Sequence, residues 1–183
     1  FYNKSIRLVG DVGTTLIPVS ATSGAVYVEG GVSATHIPLT AAANEWDSTG
    51  TVASTAGLAV GDYIRVGDAT DRAYTLNVAP NIEFNRIVGL TGTTFTTSNR
   101  FISSYSISGT NAAYVAKVTY PVDFKIENIK IAIPEGMTCG GVVAFDCVSV
   151  TMDNVSVSGA DNYGSHAVLR CSNVRIINCY GRD

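Results

Sequence analysis

The sequence has little charge and no long apolar run. Only 15% of its 183 residues are Asp, Glu, Lys or Arg, and 12 basic residues are outnumbered by 15 acidic ones. No cluster of Lys and Arg occurs, which excludes a surface that tracks phosphates and predicts no nucleic-acid partner. No run approaches ~18 apolar residues, so we also predict no membrane insertion. The 46% hydrophobic content excludes a disordered chain.

Common catalytic and metal-binding motifs are absent as well. The chain has no phosphate-binding glycine loop, no dinucleotide fingerprint, no nucleophile elbow and no histidine-rich metal motif. Its four cysteines lack the Cys-x-x-Cys spacing of zinc sites, and we interpret them as small buried side chains. They are Cys139, Cys147, Cys171 and Cys179. We therefore expect neither a metal nor a cofactor.

Leucine is scarce, whereas β-branched residues are abundant. The chain has 7 Leu against 55 Val, Ile and Thr, and it has 18 Gly. β-Branched residues suit the pleated, half-buried surface of a strand, and glycines suit the turns between strands. The composition therefore predicts an all-β fold.

A repeat occupies roughly the last sixty residues. Three segments align without gaps at offsets of 26 and then 24 residues: Phe124–Ile131, Val150–Val157 and Val174–Gly181. Apolar and polar residues alternate in each, so the first residues of the three segments should stack inward on consecutive rungs. A period of this length with internal turns is typical of a solenoid. We predict a parallel β-helix with coils of about 24–26 residues.

Each repeat carries an asparagine at the same position: Asn128, Asn154 and Asn178. Asparagine tolerates left-handed backbone angles, and its amide can bond to the next asparagine along a stack. We interpret the three as an asparagine ladder at a corner of the coils rather than as catalytic groups.

The period is interrupted in the middle of the chain. Residues 1–39 contain short strands closed by glycine and are interpreted as the first β-helix coils. Residues 40–120 contain four alternating strands with glycine-containing turns, which indicate a small inserted antiparallel β unit. Residues 121–183 hold the regular rungs, which we expect to continue beyond the end of this sequence.

The order of the strand and turn motifs resembles a known family. The motifs that carry the resemblance are Val28–Gly31, Leu39–Ala41, Gly57–Val66, Glu83–Thr94 and Val122–Ile131. They are similar to the pectate-lyase-like right-handed parallel β-helix superfamily, particularly the central region of bacteriophage tailspike depolymerases, including lyases that cut capsular polysaccharide. The resemblance implies a right-handed solenoid in a homotrimeric virion tail protein. Such a protein contacts other tail proteins and acts on polysaccharide at the host cell surface.

Basic outward residues suggest how an acidic polysaccharide could be cleaved. A lyase acting on a uronic acid needs a cation that neutralises the carboxylate and a base that removes the α-proton. The repeat places Lys125 and Arg175 at one rung position, two rungs and so ~10 Å apart. With His166 and Tyr163 they form our predicted catalytic set, and Arg170 is a predicted substrate contact. Alternatively, Lys125 and Arg175 only solubilise the surface.

A hydrolase would use a different pair. Glu127 and Asp153 fall on neighbouring rungs, so their carboxylates could approach the ~5 Å separation of a retaining glycosidase or, splayed, the wider separation of an inverting one. The alternative is a pair of solvated acids with no catalytic role.

Two further features are candidate sugar contacts. The polar segment from Ser158 to His166 contains Asp161 and Tyr163, and such excursions from a solenoid often build binding grooves. Within it His166 is alternatively a turn residue without a catalytic role. Trp46 follows two polar residues and offers an aromatic face for a pyranose ring.

The leading hypothesis is a tailspike that depolymerises acidic capsular polysaccharide by β-elimination. The alternatives are a glycoside hydrolase on the same scaffold and a structural or adhesive β-helix that binds glycan without cleaving it. All three use the same stacked core, and they differ in which groups converge on its outward surface.

Overall fold

A computed structural model describes residues 4–11, 13–20, 24–68, 81–108, 112–120, 122–160 and 164–182. All regular elements in these ranges are β-strands, as predicted. They are β1 (Lys4–Val9), β2 (Thr15–Leu16), β3 (Gly24–Glu29), β4 (Gly31–Pro38), β5 (Thr49–Thr51), β6 (Tyr63–Gly67), β7 (Ile82–Leu90), β8 (Thr94–Thr97), β9 (Tyr114–Tyr120), β10 (Val122–Ala132), β11 (Gly140–Phe145), β12 (Ser149–Ser158), β13 (His166–Leu169), β14 (Val174–Ile177) and β15 (Tyr180–Arg182). Among the described residues no helix is long and apolar enough to cross a membrane.

The chain divides into two compact units. One, the inserted unit, is Gly31–Thr119. The other, the solenoid unit, consists of the chain up to Gly30 and from Tyr120 onward. The sequence placed the first boundary after residue 39, whereas β4 joins the sheet of the inserted unit as the neighbour of β9.

The solenoid unit contains two parallel sheets. In the first, the strands lie in the order β1, β10, β12 and β14, with β2 pairing β10 and β15 pairing β12. In the second, β11 lies between β3 and β13. Consecutive coils thus contribute neighbouring strands to both sheets, which confirms the predicted parallel β-helix.

The predicted stack is present in register and is buried except in the last coil, where Val174 and Ile176 are 45% and 47% exposed. Phe124 is in register with Val150, and Val150 with Val174. Phe124, Val150 and the Met152 side chain are fully buried. Strand β1 pairs with β10 on the edge opposite β12, and its Ile6 is in register with Phe124. Strand β1 thus adds a rung that the sequence repeat did not contain. The alternation of apolar and polar residues therefore sets which side chains face outward.

The asparagine corner forms as predicted for two of its three members. Asn128, Asn154 and Asn178 have φ angles of 55°, 53° and 50°, in the left-handed region. Asn154 Nδ2 donates to Asn128 Oδ1 at 2.9 Å. Asn178 Nδ2 instead donates to Asp153 Oδ1 at 3.4 Å, so the ladder does not extend to the third coil.

The corner that follows the second sheet is built differently. Asp146 and Arg170 have φ angles of 49° and 54° on successive coils. In the preceding coil the chain passes so close that a Cβ on Gly30 would clash with the Asp146 carbonyl oxygen, so only glycine fits there. Each left-handed residue is followed by a cysteine turned toward the core: Cys147 Sγ donates to the Phe145 carbonyl at 3.2 Å.

The four thiols are free, and Cys139 and Cys147 are buried while Cys171 and Cys179 are half-buried. The equivalent cysteine one coil later, Cys171, donates from Sγ to the Leu169 carbonyl at 3.3 Å. The cysteines therefore pack in and around the core as small apolar groups whose S–H bonds to local carbonyls.

The inserted unit is a six-stranded sheet in the order β4, β9, β6, β7, β8 and β5. The strands from β9 to β5 pair antiparallel, as the glycine-containing turns predicted. Its core contains the aromatic residues Phe95, Phe101 and Tyr105, with Phe101 edge-on to both of the others. This aromatic cluster supports the loop that carries Trp46.

Candidate functional site

The outward side of the first solenoid sheet carries four of the nine predicted site residues, namely Lys125, Glu127, Asp153 and Arg175. Because Phe124 and Ile126 point inward, the side chains between and beside them point to solvent. We call this surface the charged face, and its members are Arg7, Val9, Lys125, Glu127, Thr151, Asp153, Arg175 and Ile177. Backbone register aligns them in two rows across the strands, one from Arg7 to Arg175 and one from Val9 to Ile177.

Glu127 lies at the centre of an ion-pair cluster. Lys125 Nζ is 2.8 Å from Glu127 Oε1, and Arg7 Nη2 is 3.0 Å from Oε2. Arg7 Nε donates to the same Oε2 at 3.2 Å. The hydrogen bond from Lys125 is the main cause that lowers the pKa of the Glu127 carboxyl; burial opposes it, and the Arg7 guanidinium lowers the pKa further. Glu127 is thus held ionised.

Lys125 and Arg175 occupy the predicted row, separated by Thr151 on the rung between them. With adjacent strands ~4.8 Å apart, their backbones are ~10 Å apart. The two cations differ in their surroundings, because Lys125 is bound to Glu127 whereas Arg175 is exposed and forms no ion pair within the described chain. Arg175 is therefore the cation best placed to meet an external anion.

Glu127 and Asp153 are in direct register on neighbouring strands, as predicted. Their separation along the sheet is about one strand spacing, ~4.8 Å, which is compatible with a retaining pair of carboxyls. Asp153 accepts a hydrogen bond from Asn178 Nδ2 at 3.4 Å. Since Glu127 is held ionised, it can serve as a nucleophile or base but is poorly suited to be a general acid.

His166 differs from its predicted position in a polar surface loop. It begins β13 in register with Val142, a fully buried residue, and Val168 two positions later also packs on the core. The His166 ring therefore faces inward, away from the charged face. Its Nδ1 lies 3.0 Å from Ser165 Oγ, and burial lowers its pKa below the ordinary value for histidine.

Arg170 belongs to a corner of the solenoid. Its Nη2 donates to Asp146 Oδ2 at 2.7 Å, and the guanidinium lies 5.9 Å from the centre of the Phe145 ring. Both contacts tie adjacent coils together. The predicted substrate contact thus already has a structural role. The predicted site residues Asp161 and Tyr163 lie outside the described residues.

Trp46 is in the inserted unit, and its side chain is 65% exposed. Its φ angle is 74°, which is unusual for any residue other than glycine. The sequence indicated the aromatic face but gave no sign of this backbone conformation.

An open groove of about 550 Å³ includes Gly159 and Ala160 of the segment in which the sequence predicted a groove, whereas its opposite side was not anticipated. It lies at one edge of the solenoid unit, between the turn from Pro134 to Thr138 and the pair Gly159 and Ala160. The Pro-Glu-Gly sequence at positions 134–136 is the signal that could have indicated a turn on that side. Among the residues with assigned positions, no group of three or more His, Cys, Asp or Glu side chains could hold a metal ion.

No protein-family model matches the chain, and no curated protein matches it. Solved phage tailspikes do match its fold. The Gp54 tailspike of Acinetobacter baumannii bacteriophage AP22, solved in complex with A. baumannii capsular saccharide, has a TM-score of 0.60 at 15% identity. The tailspike gp49 of Pseudomonas phage LKA1 has a TM-score of 0.56, and gp61 of Pseudomonas phage phi297 has 0.57, both at 16% identity.

These similarities cover nearly all of this chain but only part of each tailspike. They include 98%, 97% and 98% of this chain and 30%, 40% and 39% of the three tailspike chains, in the same order. The chain thus has the β-helix fold found in phage tailspikes and spans less than half of their length.

Proposed function

We propose that the chain is part of a phage tailspike that binds and depolymerises acidic polysaccharide of the bacterial capsule or surface. In this proposal the protein is a homotrimer on the virion tail, in contact with other tail proteins. The observation that carries the proposal is the charged face, on which Arg7, Lys125 and Arg175 follow one row across the rungs. The fold shared with a tailspike solved with capsular saccharide supports the choice of ligand.

The row suits a polymer that carries carboxylates at intervals. A cation repeated every one or two strands presents positive charge along a line, and an extended acidic glycan presents negative charge along a line. Arg175, which has no internal partner within the described chain, provides a planar guanidinium for bidentate contact with a uronate. Lys125 and Arg7 add long-range attraction while they hold Glu127.

We favour β-elimination as the reaction. Arg175 would neutralise the uronate carboxylate and so acidify the α-proton, and the base would come from the segment that contains Tyr163. The inward direction of His166 and the ion pair of Lys125 make those two residues weaker choices as the base.

Hydrolysis is the second candidate, because Glu127 and Asp153 are in register one strand apart. Glu127 would be the nucleophile, since its pKa is lowered, and Asp153 would supply the proton to the leaving oxygen. The third candidate is an adhesive β-helix whose charged face binds glycan without cleaving it.

The test uses the full-length protein and a panel of acidic capsular polysaccharides. Absorbance of unsaturated uronate indicates a lyase, and new reducing ends without that absorbance indicate a hydrolase. Binding without either product would identify the protein as an adhesin. Absence of binding to any acidic polysaccharide would refute the proposal. Arg175→Gln should weaken binding at least tenfold, whereas Arg100→Gln, an exposed arginine of the inserted unit, is the matched control.

A further inference from the structure

The backbone of Trp46 adopts a conformation that disfavours a tryptophan. Trp46 is the third residue of a tight turn that the Asp47 amide closes by donating to the Asn44 carbonyl at 3.1 Å. With φ at 74°, this position is of the kind that type II turns fill with glycine. A side chain with a Cβ is strained there.

The side chain gains little burial in return. It is 65% exposed, although tryptophan is the largest apolar side chain and this is the only one in the sequence. The strained turn thus lowers the stability of the fold, and the exposed ring gains too little burial to offset that strain.

The turn is nevertheless held firmly. The Trp46 amide donates to the Phe101 carbonyl at 2.9 Å, and the Phe101 amide donates to the Asp47 carbonyl at 2.7 Å. The Glu45 amide donates to Ser104 Oγ at 3.0 Å, and Asn44 donates from its backbone amide and from Nδ2 to Asp47 Oδ2. Because Phe101 is fully buried, these bonds anchor the turn to the core and fix the backbone from which the ring projects.

We propose that Trp46 is a sugar-stacking platform, a second glycan contact distinct from the charged face. An aromatic ring on a backbone that is fixed before binding meets the apolar face of a pyranose ring at a reduced ordering cost. The inference rests on the proposed function, because it takes the ligand to be a glycan.

The two acidic residues next to Trp46 restrict the class of sugar that could bind to it. Glu45 and Asp47 flank Trp46 in the sequence, and both are exposed. Their carboxylates accept hydrogen bonds from sugar hydroxyls but repel the carboxylate of a uronate. The platform therefore fits a neutral pyranose, whereas the charged face fits acidic sugar units.

The experiment uses intrinsic fluorescence, since Trp46 is the sole tryptophan. The full chain is titrated with neutral oligosaccharides of glucose, galactose or N-acetylglucosamine and, separately, with polyuronate. We expect a saturable change in Trp46 emission with a neutral oligosaccharide. Calorimetry should show affinity reduced at least tenfold in Trp46→Gly and less reduced in Trp46→Phe, which keeps an aromatic face.

Trp46→Gly also separates binding from folding. Glycine relieves the strained φ, so its melting temperature should equal or exceed that of the wild type. A melting temperature that falls would assign the ring a packing role and overturn the inference, as would unchanged binding of the neutral sugar. Self-association that is lost in Trp46→Gly would identify a protein contact and would also overturn it.

Failure of the inference can be distinguished from failure of the proposed function. If polyuronate binds, its binding depends on Arg175, and no neutral sugar alters Trp46 emission, then the inference is wrong and the proposed function stands. If neutral sugars bind through Trp46 but acidic polysaccharide does not bind, the charged face has been misassigned. If neither class of glycan binds, both proposals are wrong.

Discussion

Asn154 and Asn128 join consecutive coils through a side-chain hydrogen bond of 2.9 Å, and both have left-handed backbone angles. Replacing Asn154 by Ala removes the bond. Alanine also lacks the polar side chain that helps asparagine to adopt a φ of 53°. We expect a loss of about 1–2 kcal/mol in the free energy of unfolding. Denaturation in urea measures this loss.

Two companion variants separate the bond from the backbone angle. Asn154→Gly removes the bond but tolerates the left-handed angle, so its loss should be smaller than that of the alanine variant. Asn178→Ala meets the same backbone strain at φ 50° but breaks a longer bond, of 3.4 Å, so it should cost less than Asn154→Ala. Equal losses for Asn154→Ala and Asn154→Gly would mean that backbone strain does not contribute.

The direction of alternate side chains is tested at Met152 and Thr151. Met152 is fully buried in the solenoid core, and Thr151 lies on the charged face in register with Lys125. Met152→Ala should destabilise the protein by about 2–5 kcal/mol because it leaves a cavity. Thr151→Ala should change stability by no more than about 0.5 kcal/mol. Comparable losses at these two adjacent positions, measured by urea denaturation, would contradict the alternation on which the charged face depends.

The repeated segments could be aligned from sequence because period-two alternation and a shared asparagine mark each coil. The first rung escaped this alignment. Gly10 follows Val9 where Asn128 follows Glu127, so the asparagine signal is missing from β1. The inserted unit also separates β1 from β10 along the chain. The ion pair between Arg7 and Glu127, 120 residues apart, was therefore not predictable from the local pattern.

The error at His166 has a different cause. Polar residues precede it, and the sequence pattern was interpreted as a loop up to and including the histidine. In the structure His166 shares the inward side of β13 with Val168, so the alternation already begins at the histidine. Similarly, the exposure of Trp46 followed from its polar neighbours, whereas its positive φ depends on hydrogen bonds to residues from Phe101 to Ser104. Such long-range bonds leave no local signal.

A buried carboxyl in the inserted unit makes stability depend on pH. Burial raises the pKa of Glu83 above its ordinary value of 4.5, although the Ile102 amide and the Tyr105 hydroxyl oppose the shift. The folded state therefore binds this proton more tightly than the unfolded state. The free energy of unfolding falls as pH rises from about 4.5 through the raised pKa.

Glu83→Gln keeps the shape of this side chain and removes its ionisation. Its stability relative to the wild type should increase as pH rises from about 4.5 to about 8, because the wild type must then bury a charge. Hydrogen exchange of amides in β6 and β7 measures this locally. Glu135→Gln, at an exposed position, is the control and should show no such trend. A constant difference between Glu83→Gln and the wild type would contradict the prediction.

The cysteines should differ in reactivity. The contact with Cys171 first, and burial second, raise the pKa of the Cys147 thiol, whereas the contact with Cys147 lowers the pKa of Cys171. Burial also raises the pKa of Cys139. Iodoacetamide at about pH 8 should therefore modify Cys171 before Cys147 and Cys139 in the folded protein, since the thiolate is the reactive form. Peptide mass spectrometry measures the order, and the difference should vanish in urea.

Glu127 provides a test of the chemistry on the charged face. Lys125 contributes most to lowering the pKa of its carboxyl, and Arg7 contributes less. Lys125→Gln should therefore raise the pKa of Glu127 more than Arg7→Gln does, and carbon NMR of the side-chain carboxyl measures both. Arg175→Gln, without contact to Glu127, should leave that pKa unchanged. If Glu127 titrates in the wild type above its ordinary value, the ion pairs do not persist in solution. Glu127 would then be available as a general acid, and hydrolysis would become the favoured reaction in place of β-elimination.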